Sequence, residues 1–242
     1  LIDLHCHILP GLDDGAEGVD DSVAMALQAQ ADGIDAICAT PHIRHDHRVQ
    51  ISELEDRVAA VNRELARQDV GVEVLSGGEV AETRLAELEE SELRTVALGD
   101  GNWILLEPAP GPLSESLRTA MRELAVAGFR TLVAHPERHL GNGAAALLPE
   151  LVDEGALVQA TAAFFEHPDA ASGMLALARR GLIHVLGSDS HSPTRGRPVR
   201  LSSAIECLRG VEPVGSNLDW VLERGPRAIV RGEPVRAPFG AA

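Results

Sequence analysis

The chain has 242 residues and a formal net charge of -16, from 21 basic and 37 acidic side chains, and every basic residue is Arg because Lys is absent. That length accommodates one large α/β domain, and the acidic balance argues against sequence-independent binding to nucleic acid or anionic lipid, both of which need a basic patch. Aromatic residues make up 2% of the chain and Tyr is missing, so base-stacking platforms are not expected and the core must be built from Ala, Val, Leu and Ile.

Short apolar runs rich in β-branched residues alternate with longer segments of helical period. In chain order, strands are expected near 2–5, 34–39, 72–77, 103–107, 131–135, 157–161 and 183–188. Helices are expected at about 20–31, 50–68, 82–90, 115–127, 144–154, 168–180 and 200–209. This strict alternation favours a parallel (β/α) barrel over an open doubly wound sheet, and no repeat or linker divides residues 1–242, so a single domain is expected. Cys6, Cys38 and Cys207 form no CxxC pair and read as reduced thiols of a cytoplasmic protein. Neither a basic leader nor an apolar run of about 18 residues is present, so membrane insertion is not expected.

The polar residues that follow each strand carry the functional signal. His5 and His7 follow the first, His42 the second, Glu79 the third, Glu107 the fourth, His135 the fifth, and Asp189 with His191 the seventh. In a parallel barrel the C-terminal strand ends converge on one face, where active sites sit. His5 and His7 are two residues apart, the strand period, so both point to one side and Cys6 to the other. Asp13-Asp14-Gly15 offers a carboxylate in the loop that follows. Such a mixture of imidazole and carboxylate suits Zn, Mn or Fe rather than Ca or Cu(I). Each motif alone is weak, and it is their joint placement at successive strand ends that points to a metal centre.

A competing signal is Cys38-Ala-Thr-Pro-His-Ile-Arg44, the C-x5-R spacing of cysteine-dependent tyrosine phosphatases. Such a loop needs a low-pKa thiolate cradled by backbone N–H groups. Here Cys38 falls in an apolar strand, Pro41 removes one N–H and the intervening residues contain no Gly, so the match reads as a chance one.

The segments DLHCHILPGLDDG at 3–15, TPH at 40–42, GGEV at 77–80, HPER at 135–138 and GSDSH at 187–191 resemble the motifs of the PHP (polymerase and histidinol phosphatase) metal-dependent phosphoesterases. HILPGLDDG and the closing GPRAIVRGEP at 225–234 are most similar to the bacterial tyrosine-protein phosphatases of the CpsB/YwqE group. The resemblance implies a distorted (β/α)7 TIM-like barrel, the PHP fold, holding three divalent metal ions, Mn first, with Fe or Zn as options. It implies one ion on His5, His7, Glu79 and Asp189, a second on Glu79, Glu107 and His135, and a third on Asp14, His42 and His191, with Glu79 as a bridge.

Four carboxylates against three such ions leave a local formal charge of about +2, which attracts a phosphate dianion despite the acidic surface. Arg138, and Arg195 or Arg197, follow ligand motifs and offer guanidinium forks for phosphate oxygens. The expected activity is phosphomonoester hydrolysis through attack by a metal-bound hydroxide. The implied substrate is a phosphotyrosine protein, a bacterial tyrosine kinase linked to capsule or exopolysaccharide synthesis. A histidinol-phosphatase-like enzyme and a catalytically silent PHP domain are the alternatives. Barrel amidohydrolases share the HxH start but commonly need a bridging Lys, which this chain lacks. His45 and His47 read as solvated loop residues or as lining for the substrate entrance, His139 as a substrate contact or an exposed helix start, and His167 and His184 as structural.

Overall fold

A strand covered by helices on one side and by a filled barrel on the other must be apolar on both faces, which is why Val, Ile and Leu dominate the short runs. In the computed structural model, which describes residues 1–142 and 144–240, these runs form parallel strands throughout. They are β1 (Ile2–Cys6), β2 (Ala36–Ala39), β3 (His42–Ile43), β4 (Glu73–Leu75), β5 (Glu79–Ala81), β6 (Trp103–Glu107), β7 (Arg130–Val133), β8 (Leu157–Thr161) and β9 (Val185–Gly187).

β2 and β3 are two halves of one barrel strand, as are β4 and β5, so the seven expected positions are all filled. β1 pairs with β2 and β2 with β4, while β3 pairs with β5, followed in order by β6, β7, β8 and β9. The ring closes where Cys6 bridges Ser190, with the His7 amide donating to the Ser190 carbonyl (2.9 Å) and the Asp189 amide to that of His5 (2.8 Å). The result is the distorted seven-stranded (β/α) barrel that the resemblance implied and the alternation favoured.

The two breaks have local causes. Pro41 cannot donate to a ladder, and Gly77-Gly78 lie where neighbouring elements crowd in. A Cβ on Gly78 would sit 2.9 Å from Ile43 Cγ1 and 3.0 Å from Val96 Cβ. Beyond the breaks the register resumes with His42 directly beside Glu79.

Around the barrel run α1 (Val19–Ala31), α2 (Leu54–Arg67), α3 (Glu90–Val96), α4 (Glu115–Val126), α5 (Ala144–Asp153), α6 (Ala171–Arg179), α7 (Ser202–Leu208) and α8 (Gly225–Val230). Their buried faces follow the helical period: Leu54, Val58, Val61 and Leu65 in α2, and Leu117, Ala120, Met121 and Leu124 in α4. The helix expected at 82–90 is instead a tight 3-10 segment, Glu82–Glu87, followed by α3. A capping box at Glu89, whose amide donates to Glu92 Oε2 (3.0 Å), starts the new helix there. The wide helical turn Trp220–Arg224 and α8 were not expected from the sequence. No helix among the described residues is long and apolar enough to cross a membrane.

Because Gly78 separates Ile43 from Val96, Gly78→Ala should overpack this seam and lower stability by about 1–3 kcal/mol. A fall in the urea midpoint of the metal-free protein checks it, and an unchanged midpoint would mean that the seam yields freely.

Candidate metal centre

The seven strand positions deliver their C-terminal ends to one mouth. His5 lies on the inner side of β1, and its Nε2 is 3.3 Å from Nε2 of His7. The outer nitrogens of both rings are held. His5 Nδ1 is 2.9 Å from Gln159 Oε1, and His7 Nδ1 is 2.8 Å from Asp13 Oδ2. An amide or carboxylate oxygen only accepts, so each contact keeps a proton on Nδ1 and turns Nε2 toward the cluster.

Glu79, fully buried, occupies the centre. Its Oε1 is 2.6 Å from His135 Nε2, and its Oε2 is 2.8 Å from His42 Nδ1, 3.4 Å from His5 Nε2 and 3.5 Å from His7 Nε2. Asp189 Oδ1 reaches His5 Nε2 at 3.6 Å and His7 Nε2 at 3.7 Å. Asp14 sits at the rim, its side chain 62% exposed, with Oδ1 3.4 Å from His42 Nε2 and 3.6 Å from His191 Nε2. The donor atoms fall into four overlapping groups: His7, Asp14, His42 and His191; His5, His7 and Asp189; His5, Glu79 and His135; and His42, Glu79 and Glu107. All nine side chains singled out in the sequence are therefore brought together.

His42 Nδ1, Glu79 Oε2, His135 Nδ1 and Asp189 Oδ1 are buried without a hydrogen-bond partner. His42 Nδ1 and Glu79 Oε2 approach to 2.8 Å without the angle of a hydrogen bond, as two lone pairs do when aimed at a common third atom. Buried polar atoms left unpaired in this way call for an ion, and the donor set, all imidazole and carboxylate, fits divalent Mn, Fe or Zn.

Electrostatics point the same way. Burial opposes the charge on His5, but Glu79 and Asp189 outweigh it and hold its pKa up at about 9. Burial and then the neighbouring Glu79 raise the Glu107 carboxyl, whereas surrounding imidazoles and Arg138 and Arg197 hold Asp189 low against its burial. His191 is pushed down to about 4 by burial and by His7. Protons and arginines thus carry the positive charge around these carboxylates, charge that bound cations would supply instead.

Two residues of this centre adopt the left-handed backbone region, His135 at φ 30° and Asp189 at φ 49°. Such conformations cost about 1–3 kcal/mol each and persist where surrounding structure fixes them.

The arginines separate. Arg138 Nη2 donates to Asp189 Oδ2 at 2.6 Å, and Arg197 reaches the same carboxylate at 3.0 Å and the Asp189 carbonyl at 2.8 Å. Arg195 points outward to Glu17 (2.5 Å), although it still lines the mouth. That mouth is a recess of about 420 Å³ lined by Asp14, His42, Arg44, Arg138, His191 and Arg197 together with Arg195 and Gly196.

His139 is no substrate contact here: it is buried, and its Nδ1 donates to the Gly111 carbonyl (2.6 Å). His184 is buried under Phe239 with its pKa pushed down to about 4 by desolvation, a structural role. His167 accepts from the Asp169 amide in an exposed turn. Cys38 is fully buried in β2 and burial drives its thiol far up, which removes the thiolate that C-x5-R chemistry requires.

The chemistry of Asp13, Gln159 and Arg44 escaped the sequence reading. Asp13 orients His7, accepts the His42 amide (2.9 Å) and the Gly15 amide (3.0 Å), and is held low by these bonds and by His7 against the effect of burial. Only its adjacency to Asp14 hinted at it. Gln159 carries no motif at all. Arg44, read only as the end of C-x5-R, reaches Glu107 at 3.4 Å and lines the mouth.

A family model described as "Capsular polysaccharide synthesis, CpsB/CapC" matches residues 1–213. The chain belongs to the CpsB/CapC family. It is 30% identical over 97% of its length to tyrosine-protein phosphatase YwqE of Bacillus subtilis, covering 93% of that protein. It is 27% identical over 86% of its length to tyrosine-protein phosphatase CpsB of Streptococcus pneumoniae, covering 89% of it. It superposes with a TM-score of 0.85 and 28% identity, over 100% of this chain and 99% of the other, on a crystal structure from a study of YwqE and CpsB as "unique metal-dependent tyrosine phosphatases".

Removing an outer carboxylate that orients a histidine ligand typically costs 10- to 100-fold in metal affinity. Asp13→Ala should therefore weaken Mn binding by about 10- to 100-fold with the fold retained, measured by competition with a chelator. Unchanged affinity would show that His7 needs no such partner.

Proposed function

We propose that this chain is a metal-dependent protein-tyrosine phosphatase. Three divalent ions, Mn first, with Fe or Zn compatible, would be held by His5, His7, Glu79 and Asp189, by Glu79, Glu107 and His135, and by Asp14, His42 and His191. The observation that carries this reading is the convergence of unpaired imidazole and carboxylate atoms beneath a mouth lined by arginines. Ions bound there would lower the pKa of water toward neutrality, orient a phosphoryl group and offset its charge.

The chain's own residues do the rest. Arg138 and Arg197, held against Asp189, present forks that match phosphate oxygens at the mouth, and Arg195 stands at its edge as a reserve cation. Asp13 and Gln159 hold the His7 and His5 rings in one orientation. A recess of about 420 Å³ falls within the usual range for a small ligand and accommodates a phosphotyrosyl side chain. The tyrosyl phenolate, with a pKa near 10, leaves with little protonation, so no strong general acid is required beside it.

Phosphotyrosine as substrate is supported by the relatives, since metal ligands read phosphate and not the leaving group. The same relatives and the capsule family support a bacterial tyrosine kinase of polysaccharide export as the phosphoprotein. Three free cysteines are in keeping with a cytoplasmic setting. A histidinol-phosphate phosphatase is not favoured, because likeness over nearly the whole chain runs to tyrosine phosphatases. A silent domain is disfavoured by the full donor set.

The test is kcat/KM on a phosphotyrosyl peptide and on histidinol phosphate, before chelation, after it, and after Mn is restored. The peptide should be preferred, with activity lost to chelator and regained with Mn. Preference for histidinol phosphate would reassign the substrate, and activity that survives complete metal removal would overturn the metal reading.

A further inference from the structure

Beside the mouth lies a second pocket, of about 260 Å³, lined chiefly by Arg44, His45, His47, Arg48, Arg84 and Glu87. On a chain of net charge -16 its makeup is unusual, since three guanidinium groups and two imidazoles face one carboxylate. Glu87 is already engaged by Arg84 and lies 3.5 Å from His45 Nε2. Arg44 is held by Asp46 (2.6 Å) and reaches Glu107. Arg48 is exposed and has no acidic partner among the described residues. The pocket therefore carries more cation than its own acids can pair.

Its position gives that charge a use. Arg44 lines both this pocket and the mouth, and the His47 ring stacks on His42 with centroids 5.1 Å apart. One side-chain layer thus separates the pocket from the candidate metal centre. An extended peptide advances about 3.3–3.6 Å per residue, so a side chain one to three positions from a phosphotyrosine in the mouth reaches it.

We propose that this pocket is a specificity subsite for an acidic residue flanking the phosphotyrosine, an inference that rests on the phosphotyrosine reading above. Arg48 and Arg84 supply the charge-assisted hydrogen bonds to its carboxylate, and the surrounding acidic surface repels acidic peptides that present no residue to this pocket. The subsite selects among phosphoproteins, a task the metal ligands cannot perform.

The test uses the metal-loaded full chain and phosphotyrosyl peptides identical except for Glu, Ala or Arg at the three positions on either side, with p-nitrophenyl phosphate as the substrate that has no flanks. The Glu peptide should have the lower KM and a kcat/KM roughly five- to tenfold above the Ala peptide, the scale of one or two half-exposed charge-assisted bonds. In the Arg48→Ala/Arg84→Ala double variant that gap should close, with the Ala peptide and p-nitrophenyl phosphate turned over as before. Arg48→Glu should shift preference toward the Arg peptide.

Equal turnover of the Glu and Ala peptides by the unaltered chain would overturn the subsite. So would a Glu preference that survives the double variant, or a loss that falls equally on p-nitrophenyl phosphate. Cleavage of p-nitrophenyl phosphate with no turnover of any phosphotyrosyl peptide would instead remove the substrate reading, and the subsite with it.

Discussion

A carboxylate with no access to water sits at the middle of this barrel, and four imidazoles and a second carboxylate are packed around it. Glu79 lies within 3.5 Å of His5, His7, His42 and His135 and shares a donor group with Glu107. Stripping water from an ionised group costs several kcal/mol unless compensating charge is close by. In the protein alone that compensation comes from the imidazoles around it, among them a His5 held at about 9, and from the arginines on Asp189. Cations bound here would take over that compensation and leave Arg138 and Arg197 free for a phosphate, so this one buried charge would link metal binding to substrate binding.

The barrel bends to serve that charge. His42 and Glu79 stand side by side only because two strands break, at Pro41 and at Gly77-Gly78, and then resume in register. His135 and Asp189 reach the cluster from left-handed backbone positions, and the Asp189 amide is tied to the His5 carbonyl at the closing seam. Asp3, buried in β1 and raised to about 6 by its burial, accepts from the Ser188 and His5 amides and clips the seam from which Asp189 projects.

Much of this was legible in the chain, because each donor closes an apolar run and carries its own short motif. The convergence of His5, His7, His42, Glu79, Glu107, His135, Asp189 and His191 follows from their being strand ends in a parallel barrel. Other features turn on geometry that spacing does not encode. Asp13 and Asp14 are chemically equivalent neighbours, and only the loop's path assigns one to His7 and the other to the rim. Gln159 lies inside an ordinary apolar strand. Arg195 and Arg197 are two residues apart, yet one turns to Glu17 and the other to Asp189. His139 follows a ligand motif but is drawn to the Gly111 carbonyl. Helix α3 was missed because Glu89 and Glu92 cap a new start within a Glu-rich stretch of helical composition.

The most direct measurement is anomalous diffraction at the Mn edge from crystals of the full chain grown with Mn. Separate peaks are expected among His5, His7, Glu79 and Asp189, among Glu79, Glu107 and His135, and among Asp14, His42 and His191, with Arg138 and Arg197 withdrawn from Asp189. Mn-loaded crystals with no anomalous density at this cluster, and with Arg138 and Arg197 still on Asp189, would contradict it.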